Sequence, residues 1–251
     1  MTLTQLGRYD EAIALNQKAI AAAERAYGGD NDLLAGVLDN FAFNLAVVGR
    51  TREARTALDR ALAMKTPTEF SVSTELCDLA RVDLADGKPD QAIEHGERGL
   101  ALLRKLGFSG INIAINEDPL AGAYLAAKRF DDALALSRDC LAEFRKGRPT
   151  DGVDVVPCLR VEGTALVELG RTSEAQAELE LALRLQAAHP APPGMVAELR
   201  FQLARALVAT GGDRARAAQL ADDARAELVR YSFEKARLDE LDAWRAARLP
   251  P

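Results

Sequence analysis

Small and apolar residues recur along the chain with the spacing of amphipathic helices. Each recurrence surrounds one turn residue, used below as a landmark: Gly7, Gly49, Gly87, Lys128, Gly170 and the pair Gly211-Gly212. A small residue follows each landmark and closes the cluster, at intervals of 38 to 42 residues: Ala12, Ala54, Ala92, Ala133, Ala175 and Ala217. A second small residue lies seven positions further on in every case, on the same helical face, which predicts a helix that a neighbour can approach closely.

The residues before each landmark predict another helix. A small residue lies seven positions before it: Ala42, Ala80, Ala121, Gly163 and, counted from Gly211, Ala204. Larger apolar residues surround most of these positions with helical spacing, as Leu38 and Leu45 do around Ala42. Glycine at the landmark tolerates the left-handed backbone that ends a helix, so each unit is predicted to be helix, tight turn, helix. Lys128 is expected either to adopt a tight turn at modest cost or to form a turn of different shape.

A period of this length predicts an all-α repeat array, in which each unit packs only on its neighbours. We expect about five and a half repeats in residues 1–231 and a C-terminal capping helix in 232–251. Ser232 is the predicted N-cap of that helix, and Leu238, Leu241 and Trp244 form its apolar face. Only six residues precede Gly7, so the helix predicted over Tyr9 to Tyr27 should lack a partner and leave its Ala12/Ala19 face uncapped. The alternatives are a fragment of a longer protein, a misplaced start codon or a docking face.

The second repeat carries a recognisable signature, formed by Leu38, Phe41-Ala42, Leu45, Gly49, Ala54 and Ala61. This pattern resembles the tetratricopeptide repeat superfamily, in the long-repeat variety of kinesin light chains and of the regulatory tails of bacterial kinases and regulators. The units here are longer than the usual 34 residues, and the expected aromatic residue between the two alanines is missing. The resemblance implies a right-handed superhelical solenoid of antiparallel helix pairs, with a groove that binds a peptide or protein.

The composition of the chain argues against several classes of function. The formal net charge of -6 argues against a general nucleic-acid binder, which usually carries a basic excess. The beginning of the chain lacks the pattern of a signal peptide, and no stretch has the length of a membrane span. Cys77, Cys140 and Cys158 are widely spaced, which is typical of neither a zinc site nor a disulfide framework. We interpret them as reduced, buried thiols of a cytoplasmic protein, and we predict no metal and no cofactor.

Catalytic motifs are missing from the sequence. It contains two histidines, His95 and His189, and neither a phosphate-binding loop nor a dinucleotide fingerprint. The chain is therefore predicted not to be an enzyme. The resemblance places the groove lining ten and six residues before each landmark, and the candidate partner-binding residues are Asp39, Phe43, Arg81, Asp118, Arg160, Thr164, Phe201 and Arg205. Arginine in such a lining suits carboxylate or phosphate recognition.

Three functions remain open. The leading one is a non-catalytic scaffold that binds a protein or peptide in the groove. The second is the regulatory tail of a bacterial serine/threonine kinase. The third is a peptide-sensing module of a transcriptional regulator, for which Asn40, Asn44, Asn112 and Asn116 are the candidate peptide-binding side chains. A homodimer through the uncapped N-terminal helix is compatible with all three.

Overall fold

The computed structural model describes residues 2–27, 32–64, 68–109, 111–147, 152–189 and 191–249. The described residues are all-α and form twelve α-helices in packed antiparallel pairs. They divide into two compact units. The N-terminal unit is Arg8–Lys128, and the C-terminal unit comprises Met1–Gly7 together with Arg129–Pro251.

The N-terminal unit contains six helices: α1 (Tyr9–Tyr27), α2 (Asp32–Val47), α3 (Thr51–Met64), α4 (Glu69–Ala85), α5 (Pro89–Lys105) and α6 (Ile111–Ala126). The predicted helix over Tyr9 to Tyr27 is confirmed at both ends. Helices α2 and α3 pair, as do α4 and α5, and the first helices α2, α4 and α6 lie side by side. Ile13 and Ala23 of α1 join a buried cluster with Leu34, Leu45 and residues of α3.

The C-terminal unit contains the remaining helices: α7 (Phe130–Gly147), α8 (Val156–Glu168), α9 (Thr172–Gln186), α10 (Pro193–Ala209), α11 (Arg214–Leu228) and α12 (Lys235–Arg248). Helices α8 and α9 pair, as do α10 and α11, and α12 packs on α11. Residues 2–7 belong to this unit. A side chain added at Gly7 would collide with the ring of Tyr231 and lie 2.9 Å from Pro193.

The turns confirm the role of the landmark residues. Each single landmark glycine and Gly211 have positive φ, between 69° and 75°. Lys128 has φ 59° and is the one described non-glycine residue with positive φ, so it adopts the predicted left-handed turn. The small residues also do what their spacing predicts: Ala54, Ala61, Ala175 and Ala182 are completely buried. Their size lets the paired helices approach closely.

Three buried carboxylates that pair with an arginine occupy first-helix positions that are apolar in most other repeats. Asp83, Glu117 and Glu162 are each less than 7% exposed. An arginine on a second helix pairs with each of them: Arg55 with Asp83, Arg104 with Glu117 at 2.9 Å, and Arg138 with Glu162 at 2.9 Å. The Nδ1 atom of His95 also lies 2.7 Å from Asp83. Burial of these charges is tolerated because each has a hydrogen-bonded partner.

A recurring arginine–carboxylate pair follows the landmarks. Arg50 donates two hydrogen bonds of 2.7 Å to Glu53, and Arg171 makes the same pair with Glu174. Arg8 with Glu11 and Arg129 with Asp132 repeat it. The arginine hydrogen bond is the main cause that lowers the pKa of Glu11, Glu53 and Glu174 below the ordinary value. Each carboxylate also lies in the first turn of a second helix, where negative charge is favourable.

Three expectations about the ends and the cysteines are wrong. Ala12 is buried and Ala19 half-buried, so their face is not uncapped, since α1 packs against α2. The homodimer through this helix stays a prediction. Ser232 is not the N-cap of the last helix, because Ser232–Glu234 form a 3-10 turn and α12 begins at Lys235.

The third wrong expectation is that all three cysteines are free thiols. Cys140 of α7 and Cys158 of α8 form a disulfide, whereas the sequence spacing indicated free thiols. The two helices pack together and bring the Cα atoms of these residues to 6.2 Å, although they are 18 residues apart in sequence. Cys77 alone is a free, buried cysteine, as expected.

Candidate partner-binding face

The candidate residues occupy one face of the first helices in each unit, called here the first-helix face. In the N-terminal unit it carries Asp39 and Phe43 on α2, Arg81 on α4 and Asp118 on α6. In the C-terminal unit it carries Arg160 and Thr164 on α8, and Phe201 and Arg205 on α10. Adjacent first helices contact one another within each unit. The candidate residues therefore lie on contacting first helices, four in each unit.

Arg81 and Phe43 form the centre of the N-terminal set. The guanidinium carbon of Arg81 lies 4.9 Å from the centroid of the Phe43 ring, within range of a cation–π interaction. Both residues are half-buried and line a shallow cleft together with Ala42, Leu58, Asp78 and Val82. Among the described residues no carboxylate forms an ion pair with Arg81, and its buried Nε has no hydrogen-bond acceptor. The guanidinium thus retains unused donor capacity beside an aromatic surface.

The other two N-terminal candidates are Asp39 and Asp118. Both are half-buried, and both interact with other parts of the chain. Cys77 lies on α4, and its thiol pKa is raised to about 12 mainly by burial. A thiol with this pKa stays protonated at neutral pH and contributes neither a charge nor a nucleophile to the face.

The C-terminal set is internally satisfied. Arg160 pairs with Glu198 of α10 at 2.8 Å, and both side chains are only about an eighth exposed, at 12% and 13%. Arg205 pairs with Glu168 of α8 at 2.5 Å and also donates to Gln202 at 3.0 Å. These pairs join the two first helices of the unit to each other. The guanidinium groups of this face therefore already have carboxylate partners.

The remaining C-terminal candidates are buried. Phe201 is 5% exposed and makes an edge-to-face contact with Trp244, with 5.4 Å between ring centroids. It belongs to a cluster with Leu228 and Leu241, which confirms that the apolar face of the last helix packs on the final repeat. Thr164 is 7% exposed, and no described atom bonds its hydroxyl. Phe201 and Thr164 thus lie within the helix packing.

Two of the asparagines considered for peptide binding are bonded to their own helix. Asn40 donates to the carbonyl of Gly36 at 2.9 Å, and Asn44 donates to the carbonyl of Asn40 at 3.0 Å. The side chain of Asn112 lies outside the described residues.

The sequence did not reveal the pairing of Arg160 with Glu198 or of Arg205 with Glu168. Their spacing of 38 and 37 residues, close to one repeat, is the signal that could have indicated it.

The described residues contain no group of three or more His, Cys, Asp or Glu side chains arranged to hold a metal ion. Crossing a membrane would require a longer and more apolar helix than any in the described part of the chain.

Comparison with known proteins agrees with this architecture. A sequence model described as tetratricopeptide repeat matches residues 1–66. No curated protein sequence matches the chain. Tetratricopeptide repeat proteins typically bind peptides or other proteins.

Solved structures extend the similarity over most of the chain. BtubC (BKLC) from P. vanneervenii is 20% identical with a TM-score of 0.65, and the match covers 87% of this chain and 90% of BtubC. A Podosopora anserina structure of nearly identical TPR-like repeats, named for kinesin light chain, is 23% identical with a TM-score of 0.56. The match covers 78% of this chain and 95% of that structure. PlcR of Bacillus thuringiensis, in complex with the peptide PapR7 and DNA, is 14% identical with a TM-score of 0.63. The match covers 86% of this chain and 74% of PlcR. The chain therefore has the fold of a tetratricopeptide-like helical repeat array.

Proposed function

We propose that this chain is a non-catalytic binding module, and that its N-terminal unit binds a peptide or a peptide-like segment of a protein partner. The observation that carries the proposal is the Arg81–Phe43 pair. A cation that pairs with no carboxylate of the described residues stacks there on a half-buried ring in a shallow cleft between helices.

The chemistry of this pair favours a ligand with a carboxylate next to an apolar group. A guanidinium hydrogen-bonds a carboxylate through a fork of parallel N–H groups, and stacking on an aromatic ring holds that fork in place. Phe43, Ala42 and Leu58 supply apolar surface beside it. In the C-terminal unit the same binding would require Arg160 or Arg205 to release Glu198 or Glu168, which leaves a carboxylate without its partner.

The test is a selection from a displayed library of random twelve-residue peptides, with the full chain as bait. Peptides that bind are measured by calorimetry against the wild type, Arg81→Glu and Arg205→Glu. We expect Arg81→Glu to weaken binding at least tenfold, whereas Arg205→Glu, folded by circular dichroism, changes it less than threefold. Equal binding by the wild type and Arg81→Glu would contradict the proposal, as would a library that yields no binder.

A second candidate is the peptide-sensing part of a larger regulator. The observation that favours it is the similarity of fold to PlcR, whose structure contains a peptide and DNA. In this chain the side-chain amides of Asn40 and Asn44 would first have to leave their own helix backbone. The genomic reading frame around the coding sequence distinguishes the candidates, because a DNA-binding domain in the same frame is expected only for the regulator.

A further inference from the structure

The disulfide between α7 and α8 is a feature that peptide binding does not explain. Cys140 occupies the second small-residue position of its repeat, where the other repeats have Ala19, Ala61, Gly99, Ala182 and Ala224. An alanine is sufficient for close packing at this position, since Ala61, Ala182 and Ala224 are completely buried. The packing of the helices therefore does not require a cysteine there.

Two of the three cysteines in 251 residues lie opposite each other on neighbouring helices. The Cα atoms of Cys140 and Cys158 are 6.2 Å apart, within the range that a disulfide spans. The residues are 3% and 5% exposed, so the bond lies inside the contact between α7 and α8. It cross-links two helices that side-chain packing otherwise holds together.

We propose that Cys140 and Cys158 form a reversible thiol–disulfide lock that fixes α8 against α7 in the C-terminal unit. In the oxidised protein a covalent bond joins the helices, and in the reduced protein packing alone does. Helix α8 also carries Arg160, two residues after Cys158, and Glu162, which pairs with Arg138 of α7. The lock thus acts on the helix that supplies half of the C-terminal first-helix face.

The chemistry is an exchange with a low-molecular-weight disulfide such as oxidised glutathione. The thiolate of one cysteine attacks a sulfur of the small disulfide, which forms a mixed disulfide and releases one small thiol. The second cysteine then displaces the other small thiol and closes the intramolecular bond. The protein loses two protons and two electrons, and the small disulfide is reduced to two thiols. Because the pair is buried, we expect exchange to require transient separation of α7 from α8.

The third cysteine does not take part in the exchange. Cys77 lies on α4 in the N-terminal unit and is buried. Burial raises the pKa of its thiol to about 12, so the thiolate needed for attack is scarce at neutral pH. Cys77→Ser is therefore the matched control variant, since it removes a buried thiol without affecting the pair.

The experiment refolds the full chain from denaturant in a glutathione buffer, first oxidising and then reducing. The protein is then denatured so that every free thiol is accessible, the free thiols are alkylated, and the products are counted by mass spectrometry. We expect one alkylated thiol, Cys77, after oxidation and three after reduction. We also expect the oxidised protein to melt about 5 to 10 °C higher, because the cross-link closes a loop of 18 residues.

Two cysteine variants distinguish stabilisation by the Cys140–Cys158 disulfide from other effects of the redox buffer on the melting temperature. Cys140→Ala installs the residue of the equivalent positions, so it should fold and melt at the same temperature in both buffers. Cys77→Ser should keep the redox-dependent shift. Three alkylated thiols in folded protein after oxidation would overturn the proposal. So would a covalent dimer on a non-reducing gel, or an intramolecular bond whose reduction leaves the melting temperature unchanged.

Discussion

The two first-helix faces carry similar residues in different electrostatic environments. In the C-terminal unit each arginine is bound by a carboxylate of the neighbouring first helix, at 2.5 to 2.8 Å. Both Arg81 and Arg205 lie over a phenylalanine ring, at 4.9 Å from Phe43 and 5.8 Å from Phe201, but no described carboxylate pairs with Arg81. A paired guanidinium has little attraction left for a ligand, whereas one that is only stacked keeps its donors. Equivalent positions in a repeat can thus join helices in one unit and be available for a partner in another.

The largest stability difference is expected between the two phenylalanines of these faces. Phe201→Ala removes a ring from the contact between α10 and α12 and should cost about 4 kcal/mol. Phe43→Ala removes a half-buried ring and should cost about 1 kcal/mol, since part of its surface is already in water. Urea unfolding followed by circular dichroism measures both variants. Equal costs would show that Phe43 is as much a part of the core as Phe201.

The arginines provide the next comparison. Arg160→Ala leaves Glu198 largely buried without its main partner and should cost about 3 kcal/mol. Arg81→Ala leaves no carboxylate behind and should change the free energy of unfolding by less than about 1 kcal/mol. The same unfolding measurement applies. A cost for Arg81→Ala that matches Arg160→Ala would mean that Arg81 holds the fold together, which would contradict its availability for a partner.

A smaller effect on the free energy of unfolding is expected at Asp83, a buried carboxylate of the N-terminal unit. Asp83→Leu installs the residue found at the equivalent positions Leu45, Leu166 and Leu207, and should alter the free energy of unfolding by about 1 kcal/mol or less. Arg55→Ala keeps Asp83 buried with His95 as its remaining described partner, and should cost about 2 kcal/mol. Thermal melts at neutral pH compare the two. If Asp83→Leu is the more harmful, the carboxylate contributes more than an apolar side chain can replace.

The smallest effect is expected at the exposed pairs that follow the landmarks. Because Arg50 lowers the pKa of Glu53 in the folded state, the pair stabilises the fold above the ordinary carboxyl pKa of 4.5. That contribution is lost as the pH falls through the lowered value. Glu53→Gln should therefore melt slightly below the wild type at pH 7, and the difference between the two melting temperatures should shrink as the pH falls below 4.5. A constant difference across this range would show that the pair does not act through charge.

The sequence predicted the elements well because small residues and turns obey local rules. The left-handed turn at Lys128 and both ends of α1 follow from spacing and from the backbone conformations that a helix end requires. The Cys140–Cys158 bond was missed, because it depends on how α7 and α8 face each other. Likewise, only the packed first helices bring Arg205 against Glu168. The exposure of a candidate residue depends on neighbours one repeat away, which a linear pattern does not show.

The central claim is that Arg81, rather than Arg160 or Arg205, is available to a partner. The direct measurement is the arginine Nε–H signals in a nitrogen-edited NMR spectrum, assigned by mutation and followed during titration with a library-selected peptide. We predict that the Arg81 signal shifts in proportion to the bound fraction while the signals of Arg160 and Arg205 stay in place. Movement of Arg160 or Arg205 with a stationary Arg81 would contradict the claim.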